Sequence, residues 1–330
     1  MAHTAQEPAC RQIDLLNYRA LVPRHPITTR FLHLAFAGAA LLPSSLLATA
    51  PAASSANAPK VQQGSHSAPA STRHVDVKVD VKTEKPDASA RYLDIAGFGS
   101  VAVYAPNAPV RGIALFASGD GGWNLGVREM ARTAATLGYW VAGFDTPALL
   151  KTLATNDSAC IDMAAALTHL GDKVKTSLNL PKAEAPLLIG YSSGATIEYA
   201  ALVQAGDRRF SGAMTLGFCP DLLVQKPFCT GAGLRAHKPG GKKPGIVFDV
   251  APTVASPWIV LQGDIDKVCN PPATIEFVHK VKNASVVELP HVGHGYGVPR
   301  NWMPQYQRGL KQLRDQNTST TATPRDAASP

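Results

Sequence analysis

The stretch LLIGYSSGAT, residues 187–196, sets an apolar run against two adjacent serines bracketed by Gly190 and Gly194. Read as strand, sharp turn and helix start, it lifts Ser192 out of the chain. The serine takes a strained backbone conformation, and small residues at 190 and 194 let the strand and the helix cross closely. Ser193, at the helix N-terminus, then offers its backbone N–H to a developing oxyanion. The pattern G-x-S-x-G also arises by chance in a chain rich in Gly and Ser, so its meaning depends on its surroundings.

Those surroundings have one rhythm. Beyond Val110, short apolar runs read as buried strands: GIALFA (112–117), YWVAGF (139–144), PLLIGY (186–191), GAMTLG (212–217), PWIVLQG (257–263) and ASVVELP (284–290). Between them, residues 124–138, 159–178, 194–206 and 271–283 carry helical spacing. Strands that are apolar throughout and alternate with helices predict an α/β fold: a mostly parallel sheet of about eight strands with helices on both faces. Functional residues then gather at the carboxyl ends of the strands. Upstream, HVDVKVDVK (74–82) alternates like a half-exposed edge strand, and RYLDIAGFGSVAVYAP (91–106) reads as a hairpin turning at Gly97 and Gly99. Residues 220–256, rich in Pro, Gly and Lys, read as an insertion over the top edge of the sheet.

A nucleophilic serine on this scaffold needs an acid and a histidine later in the chain, in that order. WIVLQGDIDKVC ends a strand in a glycine turn followed by Asp264 and Asp266. Asp266 lies beyond the turn and is the better placed of the two to orient a histidine, whereas Asp264 suits a bond to the turn's own backbone. VVELPHVGHGYG ends the next strand and supplies His294 between two glycines; its competitor, His291, follows Pro290 directly. A metal site built on His291, His294 and an aspartate lacks a further ligand cluster, and no cofactor is expected. The second oxyanion donor is expected from SGDGGW (118–123), as the N–H of Gly119 or Asp120. No phosphate-binding glycine motif can be read there. Asp120 and Asp145, at strand ends, could meet a cationic substrate group or cap helices. Trp123, Tyr191 and Tyr296 complete the candidate substrate-binding set.

The N-terminus has the layout of a secretory signal: Arg24 and Arg30, an apolar run from Phe31 to Leu47, then small residues with candidate cleavage points before Ala56. A membrane anchor is the alternative, disfavoured by the short run and by Pro43. Residues 1–56 therefore read as extension and signal, 57–73 as a disordered tether, 74–314 as the folded domain and 315–330 as a disordered tail. Cleavage removes four basic and two acidic residues from a chain of net charge +8, leaving +6. That suits an anionic membrane surface or serves solubility alone. Nucleic acid is not an expected partner, since no basic tract is interleaved with aromatics. Cys10 leaves with the signal, and Cys160, Cys219, Cys229 and Cys269 remain. In an oxidising compartment they would form two disulfides in one of three connectivities; free buried thiols are the alternative.

SGDGGW (118–123), GYSSGAT (190–196), GFCPDLLVQKPFC (217–229), GDIDKVC (263–269) and VGHGYGVPRNWMPQY (292–306) together resemble the bacterial VirJ/AcvB virulence-protein family, over about residues 110–310. The resemblance implies an α/β-hydrolase fold, a periplasmic location and a Ser192, Asp266, His294 triad. It also implies hydrolysis of aminoacylated phospholipid, notably lysyl-phosphatidylglycerol, and a link to type IV secretion components. Residues 212–306 are closer to the N-terminal half of the two-part AcvB-type proteins than to the half associated with hydrolysis. The expected function is thus a periplasmic serine esterase. The alternative is a scaffold protein that keeps the fold without the chemistry.

Overall fold

The structure, a computed structural model, describes residues 86–181, 185–241 and 243–321. The expected signal segment, the tether and the alternating strand at 74–82 lie outside the described residues. The chain enters through a hairpin, β1 (Arg91–Ile95) and β2 (Gly99–Tyr104), turning at Gly97 as its left-handed backbone allows. The alternation then begins with β3 (Gly112–Ala117), α1 (Leu125–Thr136), β4 (Tyr139–Phe144), α2 (Thr146–Thr155) and α3 (Met163–Ser177). It continues with β5 (Leu187–Tyr191), α4 (Ser193–Ala205) and β6 (Gly212–Leu216). After an insertion come β10 (Thr253–Gly263), α5 (Pro271–His279), β11 (Lys282–Leu289) and α6 (Met303–Thr321).

These strands form one sheet in the order β1-β2-β4-β3-β5-β6-β10-β11, with β2 antiparallel to both its neighbours and every later pairing parallel. Helices cover both faces, and this is an α/β-hydrolase fold. On one face Leu167, Leu170 and Val174 of α3, Tyr199 of α4 and Phe277 of α5 pack against Leu115, Leu188 and Trp258. On the other, Val127 and Met130 of α1 and Tyr306, Leu310 and Leu313 of α6 pack against Phe116, Ile189 and Ile259. Burial on two sides is why the central strands read as unbroken apolar runs. The chain leaves β3 towards β4 and leaves β5 towards β6, so a crevice opens between the carboxyl ends of β3 and β5.

Three parts of the sequence reading are corrected. Helix α2 was not expected; Asp145 caps it by accepting from the Ala148 N–H at 2.8 Å, and Pro147 occupies its first turn. The insertion contains a small antiparallel sheet, β7 (Asp221–Leu222), β9 (Ile246–Phe248) and β8 (Ala236–His237), in that order across. Helix α6 continues to Thr321, so residues 315–321 are helical where a disordered tail is expected. Its inward stripe of Tyr306, Leu310 and Leu313 has the spacing of an amphipathic helix. The four cysteines pair as Cys160–Cys229 and Cys219–Cys269. The first bond ties the insertion to the segment before α3. There Gln204 of α4 donates to the Ile161 and Cys229 carbonyls and accepts from the Met163 N–H, all at 2.8 Å. No described helix is long and apolar enough to cross a membrane.

One group in this core is out of place by ordinary rules. Glu198 of α4 is fully buried and neither carboxyl oxygen has a hydrogen-bond partner. Burial therefore pushes its pKa well above the usual carboxylate value of about 4.5. The folded state keeps a proton that the unfolded chain releases, so stability is complete below about 4.5 and falls as pH rises from there towards the raised folded-state pKa. We expect the Glu198→Gln variant to gain on the wild type above pH 5, by at most about a factor of ten in unfolding constant per pH unit, until the pH reaches the raised folded-state pKa. Urea unfolding at pH 5, 6, 7 and 8 would show this; a constant difference between the two proteins would refute it.

Candidate active site

Strand β5 ends at Tyr191, and the chain turns at once into α4. Ser192 occupies the turn with φ 55° and ψ −124°, in the left-handed half of the map that L-residues avoid. Holding a non-glycine residue there costs about 1–3 kcal/mol, so the surroundings must impose it. They do so from both directions. The Ser192 N–H donates to the Leu216 carbonyl at 2.9 Å, while its own carbonyl accepts from the Thr196 N–H at 3.2 Å. Crowding explains the two glycines. A Cβ at 190 would meet the Gly194 carbonyl carbon at 2.6 Å, and a Cβ at 194 would overlap the carbonyl oxygens of Ala117 and Ser118.

Two loops from the far side of the sheet complete the constellation. After β10, Gly263 lets the chain pass directly beneath the Val292 carbonyl, where a side chain would collide. Asp266 then turns inward, its side chain 0% exposed. Its Oδ1 accepts from the Val268 N–H at 2.8 Å and the Cys269 N–H at 2.9 Å, and Oδ2 lies 2.9 Å from His294 Nδ1. Because a carboxylate only accepts, Nδ1 carries the proton, and Nε2 is free to accept from the Ser192 hydroxyl, 2.9 Å away. The imidazole is 17% exposed, open to a reactant on one edge. The structure thus brings Ser192, His294 and Asp266 into one relay. Asp264 and His291 lie outside it: Asp264 Oδ1 accepts from the His291 N–H at 2.7 Å and so ties the acid loop to the histidine loop. Asp264 therefore bonds the neighbouring loop and not its own turn.

The other candidates divide. Gly119 is buried against Ser192; a Cβ there would lie 3.1 Å from Ser192 Cβ and 3.0 Å from the Tyr191 ring. With Ser193, the first residue of α4, it borders the space beside Ser192 where an oxyanion would form. Asp120, next to Gly119, is exposed. Its charge reaches the site: burial raises the pKa of Tyr191 first, and the charges of Asp266 and Asp120 add to it. Tyr191 and Tyr296 turn out to hold the histidine loop. The Tyr191 hydroxyl donates to the His294 carbonyl at 2.9 Å, and its ring lies 5.6 Å from the imidazole. Tyr296, buried at φ 49°, donates to the Leu261 carbonyl at 2.6 Å, which leaves its hydroxyl no freedom to meet a substrate. Asp145 is likewise spent on structure, since one oxygen caps α2 and the other accepts from the Trp123 N–H at 3.2 Å. Trp123 itself lies on Gly143 of β4 with its ring 5.5 Å from that of Phe116, as part of the packing.

Some supporting residues escaped the sequence reading. Gln262, fully buried at the end of β10, donates to the Cys269 carbonyl at 3.1 Å and approaches Asp266 Oδ2 at 3.4 Å. Ser118 accepts from the Thr146 N–H at 3.0 Å, joining the glycine loop to α2. Nothing in either residue's neighbours along the chain signals these bonds. Among the described residues, one trio of metal-type donors is compact enough to consider: Asp266, Cys269 and His294. Cys269 is bonded to Cys219 and offers no thiolate, so this donor set does not suit a metal ion.

No family model matches the chain, and no curated protein is significantly similar to it. Among solved structures, the chain is similar to Est1E from Butyrivibrio proteoclasticus, at 14% identity over 72% of this chain and 100% of that one, with a TM-score of 0.44. XC6422 from Xanthomonas campestris, described as an α/β serine hydrolase without lid, is 21% identical over 71% and 96%, with a TM-score of 0.42. Dienelactone hydrolase from Anabaena variabilis is 15% identical over 68% and 96%, with a TM-score of 0.46. At these identities and scores the likenesses carry no weight for activity, which rests on the site's own geometry.

The elbow's dependence on space yields a test that opposes intrinsic propensity. Alanine in a helix is ordinarily about 1 kcal/mol better than glycine. Gly194→Ala should instead lower stability by about 1–3 kcal/mol, because its methyl group meets backbone that cannot move aside. The denaturant midpoint reads the sign directly, and a gain in stability would refute the close crossing.

Proposed function

We propose that this protein is an exported serine esterase whose nucleophile is Ser192, with His294 as general base and Asp266 as the group that orients and charge-compensates it. The observation that carries the reading is the pair of 2.9 Å contacts linking a strained serine, an imidazole and a buried carboxylate. In the first step Ser192 Oγ attacks the ester carbonyl carbon while Nε2 takes its proton. The oxyanion forms towards the N–H groups of Ser193 and the 119–120 loop. Collapse expels the alcohol, which leaves with the proton from Nε2. Water, deprotonated by the same nitrogen, then cleaves the acyl-enzyme and regenerates Ser192.

The substrate we propose is an aminoacyl ester of phosphatidylglycerol, with lysyl as the acyl group, presented at an anionic membrane surface. Three features support it. Asp120 places a negative charge at the edge of the site, suited to an ammonium group on the acyl part. Apolar side chains stand in solvent on the loops that carry the triad, namely Ile265 (56% exposed), Val268 (66%) and Val298. Such side chains suit contact with a lipid surface. The net charge of +6 that remains after signal cleavage favours the same surface. Two disulfides fit an oxidising compartment, in keeping with export to the periplasm.

Two measurements test the reading separately. A fluorophosphonate probe should label the wild type at Ser192. Ser192→Ala should abolish labelling, and His294→Ala should slow it by about 10³-fold or more. Equal labelling of all three would refute the nucleophile. With lysyl-phosphatidylglycerol in vesicles, the wild type should release lysine and Ser192→Ala should not. Equal release by both would remove the substrate assignment while leaving the labelling result intact.

A further inference from the structure

The loop that carries Asp266 is poorly held by packing. Of residues 264–270 only Asp266 and Cys269 point inward, while Asp264, Ile265, Lys267, Val268 and Asn270 are exposed. Its exposed isoleucine and valine contribute nothing to anchoring it. The inward carboxylate depends on the loop's own backbone, through the Val268 and Cys269 N–H groups. Hydrogen bonds tie the first half of the loop to the histidine side, from the Asp264 and Ile265 N–H groups to the Leu289 and Val292 carbonyls and from the His291 N–H to Asp264. The second half is held by Gln262 on the Cys269 carbonyl and by the other inward residue itself: Cys269, buried, is bonded covalently to Cys219 at the exit of β6.

Cys219 belongs to the nucleophile's side of the site. Its carbonyl accepts from the Thr196 hydroxyl at 2.7 Å, and Thr196 is the residue whose N–H binds the Ser192 carbonyl. Two residues before it, Gly217 lies against the His294 ring; a Cβ there would be 3.2 Å from the imidazole. A second path therefore joins acid to nucleophile independently of the histidine. It runs from Asp266 Oδ1 to the Cys269 N–H, across the disulfide to Cys219, then through Thr196 to Ser192. The Cys160–Cys229 bond lies elsewhere, between the insertion and the start of α3, and touches no atom of this path.

We propose that the Cys219–Cys269 disulfide is a positioning element of the triad, required to hold Asp266 on His294, whereas Cys160–Cys229 serves stability alone. The proposal rests on the esterase reading for its kinetic consequence, but its geometric consequence can be read without turnover. The acid loop of a chain lacking the bond retains its sequence and its hydrogen-bond donors and loses its fixed distance from β6. Near-attack geometry is sensitive on that scale: a displacement of about 1 Å can cost on the order of a hundredfold in rate.

The test compares Cys219→Ala/Cys269→Ala with Cys160→Ala/Cys229→Ala in the exported protein, each measured for hydrolysis of a short-chain p-nitrophenyl ester and for thermal stability. Both pairs should lower the melting temperature. Only the first should lower kcat, by about a hundredfold with KM changed little, while the second stays within about threefold of wild type. The far-downfield proton resonance of the His294–Asp266 hydrogen bond should be present in the wild type and the second variant, and lost or exchange-broadened in the first. Equal kcat losses in both variants, or an unchanged resonance in the first, would overturn the proposal. Should the first variant fail to fold, the wild type is reduced stepwise with a water-soluble phosphine, which is oxidised to its oxide as each disulfide gains two electrons. Freed thiols are then assigned by alkylation and mass spectrometry. Loss of activity that follows the Cys219 and Cys269 thiols supports the proposal, and loss that follows Cys160 and Cys229 refutes it. A wild type with the resonance but no ester hydrolysis or probe labelling would sink the esterase reading and leave the resonance to decide the disulfide's role.

Discussion

Helix α4 leaves β5 so abruptly that its first turn lies on the backbone of β3. At Gly194 the α-carbon faces the Ala117 and Ser118 carbonyl oxygens with no room for a methyl group, and at Gly190 the strand faces the same helix turn. This crossing forces Ser192 into a left-handed conformation and keeps it there, because relaxing the serine would require moving a helix buried along its whole length. The hydroxyl is thereby presented at the rim of the sheet, next to the glycine loop that ends β3. Every other part of the site is arranged around that fixed point.

The histidine and the acid come to it by a different kind of constraint. Neither has regular secondary structure; both lie on loops, and loops are ordinarily the mobile parts of a domain. Here the histidine loop is fastened by two tyrosine hydroxyls and a tryptophan. Tyr191 holds the His294 carbonyl, Tyr296 holds Leu261 of β10, and the Trp302 indole N–H donates to the Tyr296 carbonyl at 2.8 Å. The acid loop is fastened by its disulfide and by Gln262. The site therefore combines Ser192, positioned by steric exclusion, with His294 and Asp266, positioned by directional bonds.

Several residues that looked like substrate contacts are part of this fastening. Asp145, Tyr191 and Tyr296 have hydroxyl or carboxylate groups at strand ends or beside catalytic candidates, which is where substrate contacts would also be found. Each instead bonds the backbone: Asp145 the Trp123 and Ala148 N–H groups, Tyr191 the His294 carbonyl and Tyr296 the Leu261 carbonyl. Asp120 differs because it is exposed and near enough for its charge to be felt in the site. The buried Glu198 belongs to neither group: its carboxyl oxygens have no hydrogen-bond partner and it lies in the helix that follows Ser192, a local conflict of the kind that folds tolerate near a site.

The strand–helix alternation from 112 to 290, the glycines around Ser192, and the order of serine, aspartate and histidine could all be read from the chain, because each is a local pattern of side-chain size or spacing. The choice between Asp264 and Asp266, and between His291 and His294, rested on a residue's place relative to a turn, which is still local. What remained closed to that reading depends on partners far apart in sequence. The pairing of Cys219 with Cys269 rather than Cys160 or Cys229, the capture of Gln204 by the Ile161 and Cys229 carbonyls, and the bond from the Trp123 N–H to Asp145 are settled by distances across the fold. Helix α6 and the small sheet of the insertion fall between: their patterns are present but weak, and packing on the completed core decides them. Sequence determined which residues are chemically able to act and on which elements they lie. Tertiary structure alone decided which of them meet, since a hydrogen bond or a disulfide is made over about 3–6 Å of space regardless of how many residues separate its ends.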